Sequence, residues 1–236
     1  IFTDCPSRER AGWLCDSFFL GKAEHFFTKQ NKVEKNFLEN YLLYENEVFE
    51  HKGIMPMCYP SDVRDKNTYI PNWILWYVLE LEDYLDRTGD SGFIALHRQR
   101  ILDILDFFRK YENEYGLLEN LEGWVFVEWS KATDFTEGVN FPSNMLYADA
   151  LRAAGIMLQD EELLRRSEAL KECIRKMSYH EGIFIDNAVR AEGGLKLTDN
   201  VSELCQIFAA FFRIAEEENG FYEDFKNRFR NSRYKG

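Results

Sequence analysis

Asp4-Cys5-Pro6-Ser7-Arg8-Glu9-Arg10-Ala11-Gly12-Trp13-Leu14-Cys15-Asp16 places three carboxylates, two arginines and one tryptophan within thirteen residues. The run opens at a helix start, with Asp4 and Glu9 ahead of the helix and Trp13 and Asp16 three apart on its first turns, hence on one face. A carboxylate cluster beside an aromatic plane suits sugar chemistry. Carboxylates accept hydrogen bonds from hydroxyls, and a ring covers the apolar face of a pyranose. A plainer account also fits: acids gather at a helix N-terminus because the dipole favours them there, and the arginines are their solvated partners. Taken alone, these residues favour the plainer account.

Other chemistry has less support. His25, His51, His97 and His180 are scattered without paired spacing and read as helix-surface or loop residues rather than metal or catalytic groups. The cysteines Cys5, Cys15, Cys58, Cys173 and Cys205 are odd in number and lack CxxC or Cys/His spacing, so at least one thiol is free and no metal site is expected. Phosphate loops, serine nucleophile elbows and Walker patterns are absent. Of the aromatic residues, Trp73, Trp76, Trp124 and Trp129 sit near loop boundaries and are credible sugar platforms, while the Phe and Tyr stripes read as core. A net charge of −12, from 41 acidic and 29 basic residues, leaves no basic cluster to neutralise phosphates, so nucleic-acid and other polyanion partners are disfavoured. No apolar run approaches the roughly 18 to 20 residues of a membrane helix. Neither a targeting signal nor a compartment can be read.

The elements that must position these residues read as helix almost throughout. Apolar periodicity predicts helices over about 12–27, with Trp13, Phe18, Phe19, Ala23, Phe26 and Phe27 on one side, and 33–50, joined by a turn at Lys29-Gln30-Asn31. Residues 51–71 are rich in Pro, Asp and Asn and form a functional loop. Pro71 opens a helix that stops at Gly89, and Ser91 or Gly92 starts the next, reaching about Tyr115. Trp124-Val125-Phe126-Val127 suggests a strand or extended loop ending in Glu128-Trp129. Helices follow over 145–158, 161–177 with Asp160 as N-cap, 201–218 capped by Asp199 or Asn200, and 222–230, with a turn or strand at 182–186. Glu216-Glu217-Glu218 reads as a solvated face. Eight helices, with short turns alternating with longer aromatic-bearing loops, indicate an all-α chain of paired hairpins rather than a fixed-period solenoid.

At this point the sequence resembles the bacterial α-L-rhamnosidases of glycoside hydrolase family 78. The run Asp4-Cys5-Pro6-x-Arg8-x-x-x-Gly12-Trp13-x-x-Asp16 is similar to that family's motif. Gly53-Ile54-Met55-Pro56 with Pro60, Pro71-Asn72-Trp73, Thr88-Gly89-Asp90 and Glu128-Trp129 are similar to its later motifs, in the same order. The resemblance implies an (α/α)6 toroid and an inverting hydrolase of terminal α-L-rhamnose that needs no cofactor. Its substrate partner is a rhamnose-containing oligosaccharide or polysaccharide. It implies Glu9 as general acid, Asp4 and Asp16 as contacts to rhamnose hydroxyls, and Trp13 and Trp73 as pocket walls. Glu128 stands where the family has a sugar-contacting Asp, beside Trp129, and its extra methylene advances the carboxylate by about 1.5 Å, which changes the hydroxyl it reaches. Since a cation beside an acid catalyst opposes its protonated form, at least one of Arg8 and Arg10 is expected to point away from Glu9.

The family's general base lies in a Thr-Thr-x-Trp-Glu run that these residues lack, and six hairpins require twelve helices. The chain is therefore expected to be part of one catalytic helical domain over residues 1–236, with flanking β domains and the C-terminal hairpins absent and the base outside it. Two alternatives stay open: an inverting glycosidase of the same toroid acting on another sugar, and a carbohydrate-binding helical module whose acid cluster is idle. The resemblance leans towards a periplasmic or secreted location. Oligomeric state is unread.

Overall fold

The computed structural model describes residues 2–5, 7–43, 49–60, 68–215 and Glu223. Among these residues seven α-helices occur: α1 (Leu14–Thr28), α2 (Lys32–Leu43), α3 (Pro71–Thr88), α4 (Ser91–Arg109), α5 (Phe141–Leu158), α6 (Glu161–Ser178) and α7 (Glu203–Phe211). Five short strands accompany them: β1 (Val139–Asn140), β2 (Tyr179–His180), β3 (Ile183–Phe184), β4 (Asn187–Ala191) and β5 (Gly194–Leu197). The predicted helix over 222–230, apart from Glu223, and the acidic run at 216–218 lie outside the described residues. So do positions 44–48 at the end of the second predicted helix.

The chain divides into two compact units. The first comprises Ile1–Lys110, Glu122–Val125 and Ala150–Leu164. Helix α3 is buried nearly all round, from Pro71 to Tyr84, and is the core on which α1 and α4 pack. Its ends follow the local rules: Pro71 occupies the first turn, and Gly89, at φ +67°, donates its N–H to Leu85 O. Asp90 then caps α4 by accepting the Phe93 N–H at 3.0 Å.

Helix α1 differs from its prediction. It starts at Leu14, and its buried stripe is Leu14, Ser17, Phe18 and Gly21, whereas Phe19, Phe26 and Phe27 are exposed, Phe27 by 80%. The reason is close approach. A Cβ on Gly21 would collide with the Glu34 carboxylate of α2, so the seam is built from small residues around a buried ion pair. Glu34 receives both Arg87 Nη atoms, at 2.9 and 2.6 Å, and Arg87 Nε donates to Asp83 at 2.9 Å. Burial raises the Glu34 pKa, and Arg87 works against that shift. Ser17 donates at 2.5 Å to Glu80, whose complete burial holds its carboxyl far above the ordinary range.

The second unit comprises Tyr111–Leu121, Phe126–Asp149 and Arg165–Gly236. It contains a three-stranded antiparallel sheet, order β1-β4-β5, with Val139 opposite Ala188 and Ala191 opposite Gly194, and a β2–β3 hairpin. The hairpin confirms the extended segment near 182–186. Helix α4 ends at Arg109 rather than near Tyr115, because Asn113 turns the chain: its Oδ1 accepts the N–H groups of Tyr115 and Leu117 at 2.9 and 3.1 Å. Residues 124–127 belong to no strand, leaving the loop alternative. Asp160 caps α6 as predicted. Helix α5 begins four residues early, at Phe141, where Asn140 Oδ1 accepts the Ser143 N–H at 2.9 Å. Ser202, not Asp199 or Asn200, caps α7, accepting the Cys205 N–H at 3.1 Å; the Asn200 side chain is held instead by Asn187. Helix α7 stops at Phe211, short of the predicted 218, and Arg213 follows in a left-handed conformation.

Candidate active site

The acidic motif is a closed loop set against the Pro-rich segment. Asp4 N donates to Ala11 O and Ala11 N returns a bond to Asp4 Oδ1, both at 3.2 Å, tying the ends of residues 4–11 together. Cys5 Sγ donates to Asp4 Oδ2 at 2.8 Å, and Glu9 N approaches the same sulfur at 3.4 Å. Inside the loop Arg10 takes a positive φ of 55°. The exit is pinned by Gly12, whose carbonyl accepts from Tyr59 N and from the buried Tyr41 hydroxyl, each at 3.0 Å. A Cβ at Gly12 would lie 2.8 Å from Tyr59 O, so glycine is required for this approach. Leu14 N donates to Met57 O at 3.2 Å. The described part of the loop after residue 51 thus holds the exit of the motif through Met57 and Tyr59.

Five of the predicted site residues come together in this unit. Trp13 precedes α1 in extended conformation and meets Trp73, at the start of α3, edge to face with ring centroids 5.2 Å apart. Asp16 occupies the first turn of α1, half-buried. Burial raises its pKa, and the charges of Asp4 and Glu9 push it the same way, which places the three carboxylates in one electrostatic neighbourhood. Asp4 is shifted in the opposite direction, chiefly by the Cys5 hydrogen bond. Two carboxyl groups of the same chemistry are thereby drawn apart in protonation. Glu9 is exposed and pairs with Arg8, whose Nη2 lies 3.0 Å from Glu9 Oε1, so Arg8 is not the arginine that points away.

Glu128 and Trp129 belong to the second unit and are described there alone. Thr133 holds their turn, accepting the Glu128 N–H at 3.2 Å and donating to Glu128 O at 2.7 Å. Trp129 is 84% exposed and stacks edge-on against Phe126, with centroids 4.8 Å apart. Two sequence readings need correction. Trp76 is 5% exposed and packs on Phe18, so it is core rather than a platform. His97 is fully buried, its Nδ1 2.6 Å from the Tyr77 hydroxyl, and burial lowers its pKa to about 4; the α3–α4 contact captured a residue expected at the surface. Sequence reasoning missed Cys5 and Tyr41 as supports of the motif. The adjacency of Cys5 to Asp4 was a visible signal, whereas Tyr41 gave none. Among the described residues no group of His, Cys, Asp and Glu is placed to hold a metal ion, and no helix is long and apolar enough to cross a membrane.

The model of the bacterial alpha-L-rhamnosidase 6 hairpin glycosidase domain matches residues 1–182. Among solved structures, a GH78 family rhamnosidase of Bacillus sp. GL1 superposes with a TM-score of 0.81 at 22% identity, covering 99% of this chain and 24% of that one. A rhamnosidase from Klebsiella oxytoca with rhamnose bound gives 0.76 at 16% identity, covering 98% and 44%. The α-L-rhamnosidase from Dictyoglumus thermophilum gives 0.68 at 15%, covering 96% and 25%. The chain therefore spans between about a quarter and under a half of those proteins, and the likeness is one of fold. No curated protein matches it. The helical-hairpin class read from the sequence is the fold of these domains, and with residues 1–182 matched, the chain belongs to the bacterial α-L-rhamnosidase six-hairpin glycosidase domain family.

Proposed function

We propose that this chain carries the proton-donor half of an inverting glycoside hydrolase site that releases terminal α-L-rhamnose from glycosides or polysaccharides. The observation that carries this reading is the grouping of Asp4, Glu9 and Asp16 beside the Trp13–Trp73 pair, in a chain of this family. In an inverting mechanism one carboxylic acid protonates the glycosidic oxygen while a carboxylate about 6.5 to 9.5 Å away activates water on the opposite face. Glu9 is assigned the acid. Its exposure lets it reach a leaving group, and the Arg8 contact, being between exposed side chains, opens at little cost. Asp4 and Asp16 receive sugar hydroxyls, and Trp13 and Trp73 line the sugar. The general base comes from outside these residues, within the same catalytic domain.

A second assignment has one observation in its favour. Burial and the neighbouring charges of Asp4 and Glu9 favour the protonated form of Asp16 at rest, as an acid catalyst requires. The two assignments separate by leaving group. In the full-length protein, Glu9→Gln should lower turnover of an alkyl α-L-rhamnoside by roughly 10²- to 10⁴-fold. A dinitrophenyl rhamnoside needs little protonation and should lose far less. Uniform loss on both substrates removes Glu9 as the donor. The same leaving-group pattern in Asp16→Asn transfers the role to Asp16. Wild-type protein that binds rhamnose without cleaving any rhamnoside is a binding module.

A further inference from the structure

We infer that Cys5 is a positioning residue of this site, its thiol bridging the Asp4 carboxylate and the Glu9 backbone so that two of the three acids are held in one geometry. The inference rests on the reading above for what the acids do, but not for how they are held.

The geometry is specific to the loop. Asp4 uses Oδ1 for the Ala11 N–H at 3.2 Å and Oδ2 for the Cys5 thiol at 2.8 Å, so its carboxylate is fixed in plane and direction by two donors from its own loop. Both oxygens keep lone pairs for a ligand. The same sulfur lies 3.4 Å from Glu9 N, so a single atom links the start of the loop to the residue assigned as acid. Between Cys5 and Glu9 the chain carries a turn over residues 7–9, and beyond Glu9 the strained Arg10 at φ 55° leads back to Ala11. Such a loop needs an internal tie to keep Glu9 in place, and the sulfur provides it. The hydrogen bond from Cys5 is also the largest cause of the lowered Asp4 pKa, so the thiol keeps Asp4 an acceptor beside a half-buried Asp16. Carboxylate misplacement of about 1 Å costs up to 100-fold in rate, which is the scale of effect at stake.

The test compares Cys5→Ser, which keeps a donor and an acceptor, with Cys5→Val, which fills similar space with neither, in the full-length protein. Two readouts are needed. One is kcat and KM on 4-nitrophenyl α-L-rhamnoside across pH. The other, independent of catalysis, is the titration of the Asp4 carboxyl by 13C NMR, assigned by its loss in Asp4→Asn. Cys5→Val should lower kcat by roughly 10- to 100-fold and move the Asp4 titration to higher pH, with Cys5→Ser restoring both to within about 3-fold and to the wild-type position. An Asp4 titration unchanged in Cys5→Val overturns the inference, whatever happens to turnover. If Cys5→Val does not fold, Cys5→Ser decides: near-wild-type kcat with an unmoved Asp4 titration supports the tie, and a tenfold loss overturns it. A wild-type protein without rhamnosidase activity defeats the functional reading alone, because the titration still reports on Cys5.

Discussion

Asp4 and Asp16 share a side chain and are drawn in opposite directions by what surrounds them: two donors from the loop for Asp4, burial beside two other acids for Asp16. The acids and the tryptophan were readable as a cluster because their spacing is local. What each does to the others was not, since it depends on which oxygen a thiol or an amide reaches. Asp186 shows the same point in the second unit. It is buried, accepts the Ser202 N–H and hydroxyl at 2.6 Å each, and burial raises its pKa to about 6. A carboxyl raised in the folded state stabilises the fold fully below its unfolded pKa near 4 and loses that contribution as pH rises through about 6. The shift from 3.8 to about 6 is worth on the order of 3 kcal/mol. Urea unfolding at pH 4 and pH 7 should therefore show the wild type losing up to that amount relative to Asp186→Asn. A difference between the two proteins that does not change with pH would remove Asp186 as the titrating group.

Helix α1 is the element whose existence was clear and whose facing was not. Its phenylalanines outweigh its small residues in any hydrophobic pattern, yet Ser17 and Gly21 face inward and Phe26 and Phe27 outward. Hydrophobic periodicity has no means of weighing a close helix contact built around Glu34 and Arg87. That ion pair carries a sharp prediction. Arg87→Met leaves Glu34 buried without its partner and should cost about 3 to 5 kcal/mol in chemical unfolding. Adding Glu34→Gln should recover part of it, and strict additivity of the two changes would show that the pair is not coupled. The β4–β5 hairpin is an opposite case. Glu192-Gly193-Gly194 between Ala188-Val189-Arg190-Ala191 and the alternating Leu195-Lys196-Leu197 is a legible hairpin signal, and Gly193 and Gly194 do adopt positive φ, at 96° and 134°. The all-α class describes the architecture, with these small strands added.

Across the whole molecule, the acid excess of −12 disfavours binding to phosphate-rich partners, and that expectation makes a direct prediction. Titration of a fluorescent DNA duplex at 0.1 M salt should show no binding at micromolar protein, and a salt-dependent affinity would contradict the reading. By itself the sequence determined the helical-hairpin class, most helix boundaries set by caps and stops, and the acidic Asp4–Asp16 motif with its family. Those features depend on neighbours within a few turns, where propensity, capping and spacing act. Tertiary structure alone decided that Trp76 and His97 are core, that Phe26 and Phe27 face solvent, that Trp13 meets Trp73, and that Tyr41 and Tyr59 pin Gly12. Each joins residues far apart in the chain through close packing or a single hydrogen bond, and such contacts leave no period in the sequence.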